Sequence, residues 1–135
     1  TMKVMSGSMP SGKSITGIAD ENTMRLQTLT HEISELEANL CYAFVDPTRI
    51  LILYALNEQP HNVTELTNEL GIRQPAASRH LKVLRDHGLV KTTRQGVCIR
   101  YELADCRLIE ALNLLRAVLR DQISSKASLV SELFE

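Results

Sequence analysis

The sequence VTELTNELGIRQPAASRHLKVLRDH, residues 63–87, contains the strongest local signal for the fold of this chain. Its apolar residues recur at three- and four-residue steps, which predicts two short helices, one over Val63–Leu70 and one from Gln74–Pro75 to His87. Gly71 lies between them, and glycine commonly ends a helix because it adopts a left-handed backbone without strain. Two short helices joined by so tight a turn predict a helix-turn-helix.

The second predicted helix has a polar and basic face opposite Ala77, Leu81 and Leu84. The major groove of B-DNA accepts one helix, whose first turns reach base edges with side chains of this kind, while cations further along contact phosphates. Basic side chains of a β-hairpin predicted after this helix would reach the DNA backbone beside the groove. The predicted DNA-contacting residues are Arg73, Gln74, Ser78, Arg79, His80, Lys82, Arg85, Lys91, Arg94 and Arg100.

Charge is distributed unevenly along the chain. The formal net charge is only −1, but residues 71–100 contain seven Lys and Arg residues against one acid, a surplus of +6. Residues 20–40 contain five acids and one arginine, a balance of −4. A concentrated positive charge in the helix-turn-helix favours a polyanionic partner, double-stranded DNA, over an ordinary solvated basic face.

The flanking sequence continues the pattern toward the core and the wing. Asp46–Pro47 is typical of a helix start, and the helix Thr48–Asn57 should be central to the core. Leu89–Arg94 and Val97–Leu103 alternate apolar and polar residues around Gln95–Gly96, which predicts a β-hairpin. Asn62 and Glu65 have the spacing of a capping box at the start of the next helix. The apolar residues of Thr48–Asn57 that we expect in the core are Ile50, Leu51, Ile52, Leu53 and Leu56.

The terminal helices have more apolar surface than one small core needs. The first runs from about Glu21 to Phe44, and the last begins after Asp105. Stripes at helical spacing indicate that both helices form a two-fold interface, and the alternative is that they cover a single core. The apolar positions of the last helix are Leu108, Leu112, Leu115, Leu119 and Ile123.

The expected fold is mainly α-helical with a small β-hairpin, a winged helix-turn-helix that dimerises through its first and last helices. Residues 1–19, rich in Ser, Gly and Met, are expected to be a flexible tail, and residues 20–135 a winged helix-turn-helix DNA-binding domain with terminal dimerisation helices. The chain lacks both an apolar run of roughly 20 residues and a secretory leader pattern, so a cytoplasmic protein without membrane contact is expected. We predict no enzymatic activity.

One motif points elsewhere. Residues 7–14, GSMPSGKS, fit the phosphate-loop pattern of nucleotide-binding proteins. That mechanism requires a buried strand before the loop and a helix after it, and the neighbouring residues predict neither, so we interpret the match as coincidence. A nucleotide-binding enzyme is therefore the weakest hypothesis, behind a DNA-binding regulator and behind a winged-helix module that docks protein without an inducer.

Several segments resemble the ArsR/SmtB family of repressors over roughly residues 35–122. The matching segments are DPTR at 46–49, TEL at 64–66, QPAASRHLKVLR at 74–85, GLV at 88–90, RQG at 94–96 and RYEL at 100–103. The resemblance implies a dimeric repressor that leaves a palindromic operator when a metal, metalloid or thiol-reactive signal binds. Arg73 departs from the pattern, since the family often has a serine cap there.

The metal sites of the family are not retained. Asp105-Cys106-Arg107 stands where the zinc site has Asp-x-His, and the later ligand pair falls on Val118 and Asp121. The Cys-x-Cys position falls on residues 62–64, and one persulfide-sensing position falls on Tyr54, so no sulfur remains at either.

Three cysteines remain as effector-sensing candidates: Cys41, Cys98 and Cys106. An odd, sparse set argues against a disulfide framework, and the separation of Cys98 from Cys106 argues against a bond between them in one chain. They could respond to oxidants or bind As(III), Sb(III), Cd(II) or Pb(II), although a purely structural role is equally consistent with the sequence. Cys106 is the leading candidate, because a helix N-terminus favours the thiolate. The metal, if any, stays unknown.

Overall fold

The structure is a computed structural model that describes residues 9–134, with side chains from residue 20 onward. The chain divides into two units, residues 1–42 and residues 43–135. In the first unit, helix α1 spans Met9–Leu36 and is followed by a π-helical segment, Glu37–Cys41. The apolar periodicity predicts a start at about Glu21, but helix α1 begins earlier, at Met9. Pro10 falls in the first turn, where a proline removes no helical hydrogen bond.

The phosphate-loop match falls partly outside the described residues. Met9–Ser14 belong to helix α1, whereas the nucleotide-binding mechanism requires a loop between a strand and a helix. The described strands lie far downstream, at residues 90–103. The helical backbone of residues 9–14 therefore agrees with our interpretation that the match to the phosphate-loop pattern is a coincidence.

The second unit contains the winged helix-turn-helix. Its elements are α2 (Tyr42–Phe44, whose first residue belongs to the other unit), α3 (Pro47–Glu58), α4 (Val63–Leu70), α5 (Gln74–Asp86), β1 (Val90–Gln95), β2 (Cys98–Leu103) and α6 (Arg107–Leu133). The predicted fold class, mainly α-helical with a two-stranded antiparallel hairpin, is confirmed. No helix in the described range combines the length and apolar character needed to cross a bilayer.

The core of the second unit lies between α3, α4, α5 and the start of α6. The fully buried large side chains are Ile52, Leu53, Leu66, Leu81 and Leu84. Leu51, predicted to be buried, is exposed, because four consecutive apolar residues cannot all face one side of a helix with 3.6 residues per turn.

The hairpin forms one residue later than predicted. Gln95 pairs with Cys98, so the two-residue loop is Gly96–Val97 rather than Gln95–Gly96. Gly96 has a φ of +63°, and the tight hairpin turns require a positive φ at their first loop position. The position of this glycine therefore sets the register of the wing.

A second pairing fastens the wing to the rest of the unit. The backbone amide of His61 donates to the carbonyl of Tyr101 at 3.0 Å, and the amide of Tyr101 donates to the carbonyl of His61 at 2.8 Å. The side chain of His61 is buried, and its Nδ1 lies 2.6 Å from the carbonyl oxygen of Gln59. His61 is therefore part of the buried junction between the wing and the rest of the unit.

Candidate nucleic-acid interface

Local capping interactions set the geometry of the helix-turn-helix. Asn62 Oδ1 accepts from the Glu65 amide and Glu65 Oε1 accepts from the Asn62 amide, both at 2.8 Å, which completes the predicted capping box of α4. Gly71 ends α4 with a φ of +67°, and its amide donates to the Thr67 carbonyl at 2.9 Å. Only three residues, 71–73, therefore separate α4 from α5.

Helix α5 separates an apolar face from a polar one. Ala77, Leu81 and Leu84 are buried against the core. Five exposed side chains of α5 are predicted DNA contacts, namely Gln74, Ser78, Arg79, Lys82 and Arg85, and Pro75 and Asp86 are exposed as well. The fold thus presents the hydrogen-bonding and cationic side chains of α5 to solvent.

The leading end of α5 consists of Arg73, Gln74, Ser78 and Arg79, and its side chains are free of intramolecular partners. Within residues 20–134, these four side chains form no hydrogen bond or ion pair. Arg73 occupies the N-cap position and makes no side-chain cap, as its departure from the family pattern implies. The first amides of α5 and two guanidinium groups are therefore available to an anionic ligand.

Further along α5, the cations are only partly available. Lys82 Nζ donates to Asp86 Oδ2 at 2.8 Å, and this hydrogen bond holds the pKa of Asp86 below its usual value. The pair is largely exposed, so water competes with it and Lys82 can exchange partners at low cost. Arg85 is exposed and forms no ion pair with the described residues.

The cations of the wing differ in what they contact. Lys91 lies 3.5 Å from Glu102 Oε1 across the hairpin, and Arg94 Nε donates to the Gly96 carbonyl at 3.3 Å. Arg100 donates through Nη2 to the Pro60 carbonyl at 2.7 Å, and its side chain is only 28% exposed, against 61% for Lys91. Its Nη1 lies 3.4 Å from Glu65 Oε1. Arg100 therefore anchors the wing, whereas Lys91 and Arg94 remain at the surface.

The predicted DNA contact by His80 is wrong. His80 lies on the inner face of α5 and is 8% exposed. Its Nδ1 lies 3.4 Å from Arg49 Nη1 and its Nε2 lies 3.7 Å from Asp46 Oδ2. The alternation of polar and apolar residues along α5 could not identify this contact, because both partners lie more than 30 residues away in the sequence.

The cysteines lie apart from any ligand cluster in the described residues. Cys41, Cys98 and Cys106 are all exposed free thiols, and they lie at the end of the π-helical segment, at the start of β2 and at the N-cap of α6. Residues 20–134 contain no group of three or more His, Cys, Asp or Glu side chains that could hold a metal ion. Cys98 faces solvent at the start of β2.

Asp105, which matches a ligand position of the family, already has a cationic partner. Arg107 donates to both carboxylate oxygens at 2.6–3.1 Å, and its amide donates to Oδ1 at 2.9 Å. These hydrogen bonds lower the pKa of Asp105 to about 2. A guanidinium therefore occupies the side of the carboxylate that a metal ion would need.

Comparisons with known proteins agree with this geometry. A family model described as bacterial regulatory protein, arsR family, matches residues 46–92. The biofilm growth-associated repressor of Xylella fastidiosa strain Temecula1 is 34% identical over 104 residues, which are 72% of this chain and 91% of that protein. The crystal structure of NolR from Sinorhizobium fredii is 34% identical with a TM-score of 0.59, and the match covers 66% of this chain and 89% of that chain.

A further solved structure resembles this chain in fold. The homodimeric winged helix-turn-helix DNA-binding domain Mb0332 of Mycobacterium bovis has a TM-score of 0.59 at 22% identity, and the match covers 73% of this chain and 88% of that chain. At this identity the likeness extends to the architecture alone, which is the winged helix-turn-helix predicted from residues 63–103.

Proposed function

Because this chain belongs to the ArsR family of bacterial regulatory proteins, we propose that it is a homodimeric repressor that binds a palindromic DNA operator through helix α5. The family consists of transcriptional regulators, which agrees with the prediction that the chain is not an enzyme. The observation that carries the proposal is the leading end of α5, where two guanidinium groups and two polar side chains are exposed and free of intramolecular partners within residues 20–134.

The chemistry of these side chains suits duplex DNA. An arginine can donate two hydrogen bonds to the O6 and N7 of guanine, glutamine can pair with adenine, and serine accepts or donates at either kind of base pair. Arg79, Gln74 and Ser78 supply these three capabilities on the first two turns of α5. Lys82, Arg85, Lys91 and Arg94 supply cations for phosphates, which add affinity without sequence information.

A second copy of the chain would cover the apolar face of α6. Leu115, Leu119 and Ile123 are each more than half exposed, and so are Leu26 and Leu29 on α1. Apolar surface of this extent is costly in water, and a two-fold dimer would bury it. Two α5 helices related by a dyad would then meet successive major grooves about 34 Å apart. We place the repressor in the cytoplasm, where bacterial DNA is found.

The signal that releases the operator is proposed to be thiol-reactive. Three exposed cysteines could be oxidised or could bind As(III), Sb(III), Cd(II) or Pb(II), whereas the arginine at Asp105 disfavours zinc. The test is to titrate the DNA complex with each of these ions, with zinc and with peroxide, using the wild type and each Cys→Ser variant. Release that one Cys→Ser change abolishes would support this proposal, and no release by any agent would contradict it.

The DNA-reading role is tested by the double variant Ser78→Ala/Arg79→Ala. A duplex is first selected from a random library by the wild-type protein, and affinities for it are measured by fluorescence anisotropy. Loss of one bidentate arginine contact costs about 1–3 kcal/mol, so affinity should fall at least about fivefold. Arg120→Ala/Ser124→Ala is the matched control, with the same residue types on α6.

Two results would contradict the DNA-reading role. Unchanged affinity of the Ser78→Ala/Arg79→Ala variant would show that α5 does not read the bases. Failure of the wild-type protein to retain any duplex at low salt would instead favour the alternative function, a winged-helix module that docks another protein.

A further inference from the structure

Asp46 and Arg49, at the start of α3, meet His80 on the buried face of α5, and DNA contact does not explain this cluster of three polar side chains. His80 follows the predicted base-reading residues directly in sequence but points inward, toward α3. Its two ring nitrogens meet different partners, Nδ1 with Arg49 at 3.4 Å and Nε2 with Asp46 at 3.7 Å. This is the only buried imidazole of α5. Its Nδ1 faces the positive charge of Arg49, and its Nε2 faces the negative charge of Asp46.

The chemistry of the partners fixes the position of the imidazole proton. A guanidinium can only donate hydrogen bonds, so Nδ1 of His80 must be the acceptor in the contact with Arg49. The proton of the neutral ring therefore lies on Nε2, where it faces the carboxylate of Asp46. At 3.7 Å, the Asp46 contact is electrostatic attraction rather than a hydrogen bond.

Both partners of His80 are themselves held in place. Asp46 Oδ1 accepts from the amide of Thr48 at 2.8 Å and so caps α3. Arg49 Nε donates to the carbonyl of Ala43 at 2.7 Å, which satisfies a carbonyl in the short helix α2. The cluster therefore ties α5 to the end of one helix and the beginning of another, and its two anchors leave His80 little freedom to move.

We propose that Asp46, Arg49 and His80 are positioning residues for operator binding, and that they hold α5 in its DNA-reading orientation only while the imidazole of His80 is neutral. The inference rests on the proposed function. Residues 78 and 79 immediately precede His80 on the same helical turn, so a rotation of α5 that follows loss of the Arg49 contact would move both from the groove.

Protonation would break this arrangement. A second ring proton on Nδ1 would face the Arg49 donor, which removes the acceptor and adds a repulsion between two cations. Burial lowers the pKa of His80; Asp46 opposes that shift, and Arg49 and Arg79 reinforce it. These three are the charged groups that act on the imidazole from α3 and from α5 itself. The ring is therefore neutral near pH 7 and gains its proton only under acidic conditions.

The experiment measures the ratio of affinities for the selected duplex and for a scrambled duplex, at about pH 7.5 and about pH 5.5. The ratio cancels the general strengthening of DNA binding that other histidines cause in acid. For the wild type, it should fall about tenfold between the two values, a typical size for coupling between two sites. His80→Asn retains an acceptor for Arg49 but cannot gain a proton, so its ratio should stay constant. His87→Asn, at the C-cap of α5, should retain the wild-type profile.

A second variant separates positioning from folding. His80→Leu keeps the packing but removes the acceptor, so the affinity ratio at about pH 7.5 should fall about tenfold while far-UV circular dichroism stays unchanged. An equal decline of the His80→Asn ratio in acid, or an unchanged ratio for a folded His80→Leu protein, would overturn the inference.

The tautomer gives a reading that does not depend on DNA. A long-range ¹H–¹⁵N spectrum should show His80 with its proton on Nε2, and a proton on Nδ1 would overturn the inference. Failure of the wild type to bind any selected duplex would contradict the proposed function instead, so the two can fail separately.

Discussion

Helices α5 and α6 each leave one face uncovered by the unit formed by residues 43–134, but the two faces have opposite chemistry. The open face of α5 contains Ser78 and Arg79, which water solvates well. The open face of α6 contains Leu115 and Leu119, which water solvates poorly. An uncovered apolar face is costly until something buries it, so α6 indicates a permanent partner. A polar face is stable in water without a partner, so the open face of α5 indicates a partner that binds reversibly.

The starts of the two helices differ in the same direction. Arg73 precedes α5 without a side-chain cap or an ion pair, whereas Arg107 at the start of α6 is bound to Asp105 through three side-chain hydrogen bonds. A cation that the fold neutralises contributes little to the attraction of a polyanion. The difference therefore favours the start of α5 over the start of α6 as the proposed DNA-binding end.

The largest expected effect is on the apolar face. Leu115→Glu/Leu119→Glu would bury four charges in a two-fold interface, and each unpaired buried charge costs several kcal/mol. We expect a monomer in sedimentation equilibrium and a loss of operator affinity of at least about 100-fold. Ser128→Glu adds charge on the opposite side of α6, nine residues from Leu119, and should remain dimeric. A dimeric double variant would show that α6 is not the interface.

The next effect sharpens the role of the polar face. Arg85→Ala should lower operator affinity several-fold and reduce the slope of log affinity against log salt by about 1, since one phosphate contact is lost. The measurement is a salt series by fluorescence anisotropy with the selected duplex. Arg120→Ala on α6 should leave the slope unchanged, and equal slopes for both variants would remove the distinction between the helices.

A smaller effect is expected at the start of α5. Arg73→Ser would supply the missing cap, which should raise the free energy of unfolding by about 1 kcal/mol in a urea titration. It would also remove a cation, so DNA affinity should decline while stability rises. A change of both quantities in the same direction would contradict the separation of capping from DNA contact at this residue.

The smallest effect is expected at the start of α6. Arg107→Ala should raise the pKa of Asp105 from about 2 toward its ordinary value near 4, as followed by carboxyl NMR. Because a lowered pKa stabilises the fold at every pH above the unfolded value, the variant should be slightly less stable than the wild type above about pH 4, and this difference should disappear between about pH 4 and about pH 2. DNA affinity near neutral pH should stay the same, and a lower affinity would return this arginine to the DNA-binding surface.

Features that depend on near neighbours in the sequence were predictable. The capping box of Asn62 and Glu65, the glycine end of α4 and the Asp46–Pro47 start of α3 each involve residues at most a few positions apart. Their physics is local, because a side chain either reaches a free amide within its own turn or does not.

Features that depend on distant residues were not predictable. His80 reads as one more polar residue on α5, and only its contacts with Asp46 and Arg49 show that it faces inward. Arg100 reads as a wing cation, yet its donor is satisfied by a carbonyl 40 residues earlier. Composition and spacing contain no information about such pairings, which arise only when elements pack together.

The backbone pairing of His61 with Tyr101 has a consequence for how the protein opens. These two residues close a loop that contains α4, α5 and β1, so the helix-turn-helix and the first strand of the wing lie within one closed segment. Loss of the bridge would free the ends of this segment together, which predicts that its amides exchange hydrogen with solvent as one cooperative unit. Local unfolding would then open the helix-turn-helix and the wing strand β1 together rather than one helix at a time.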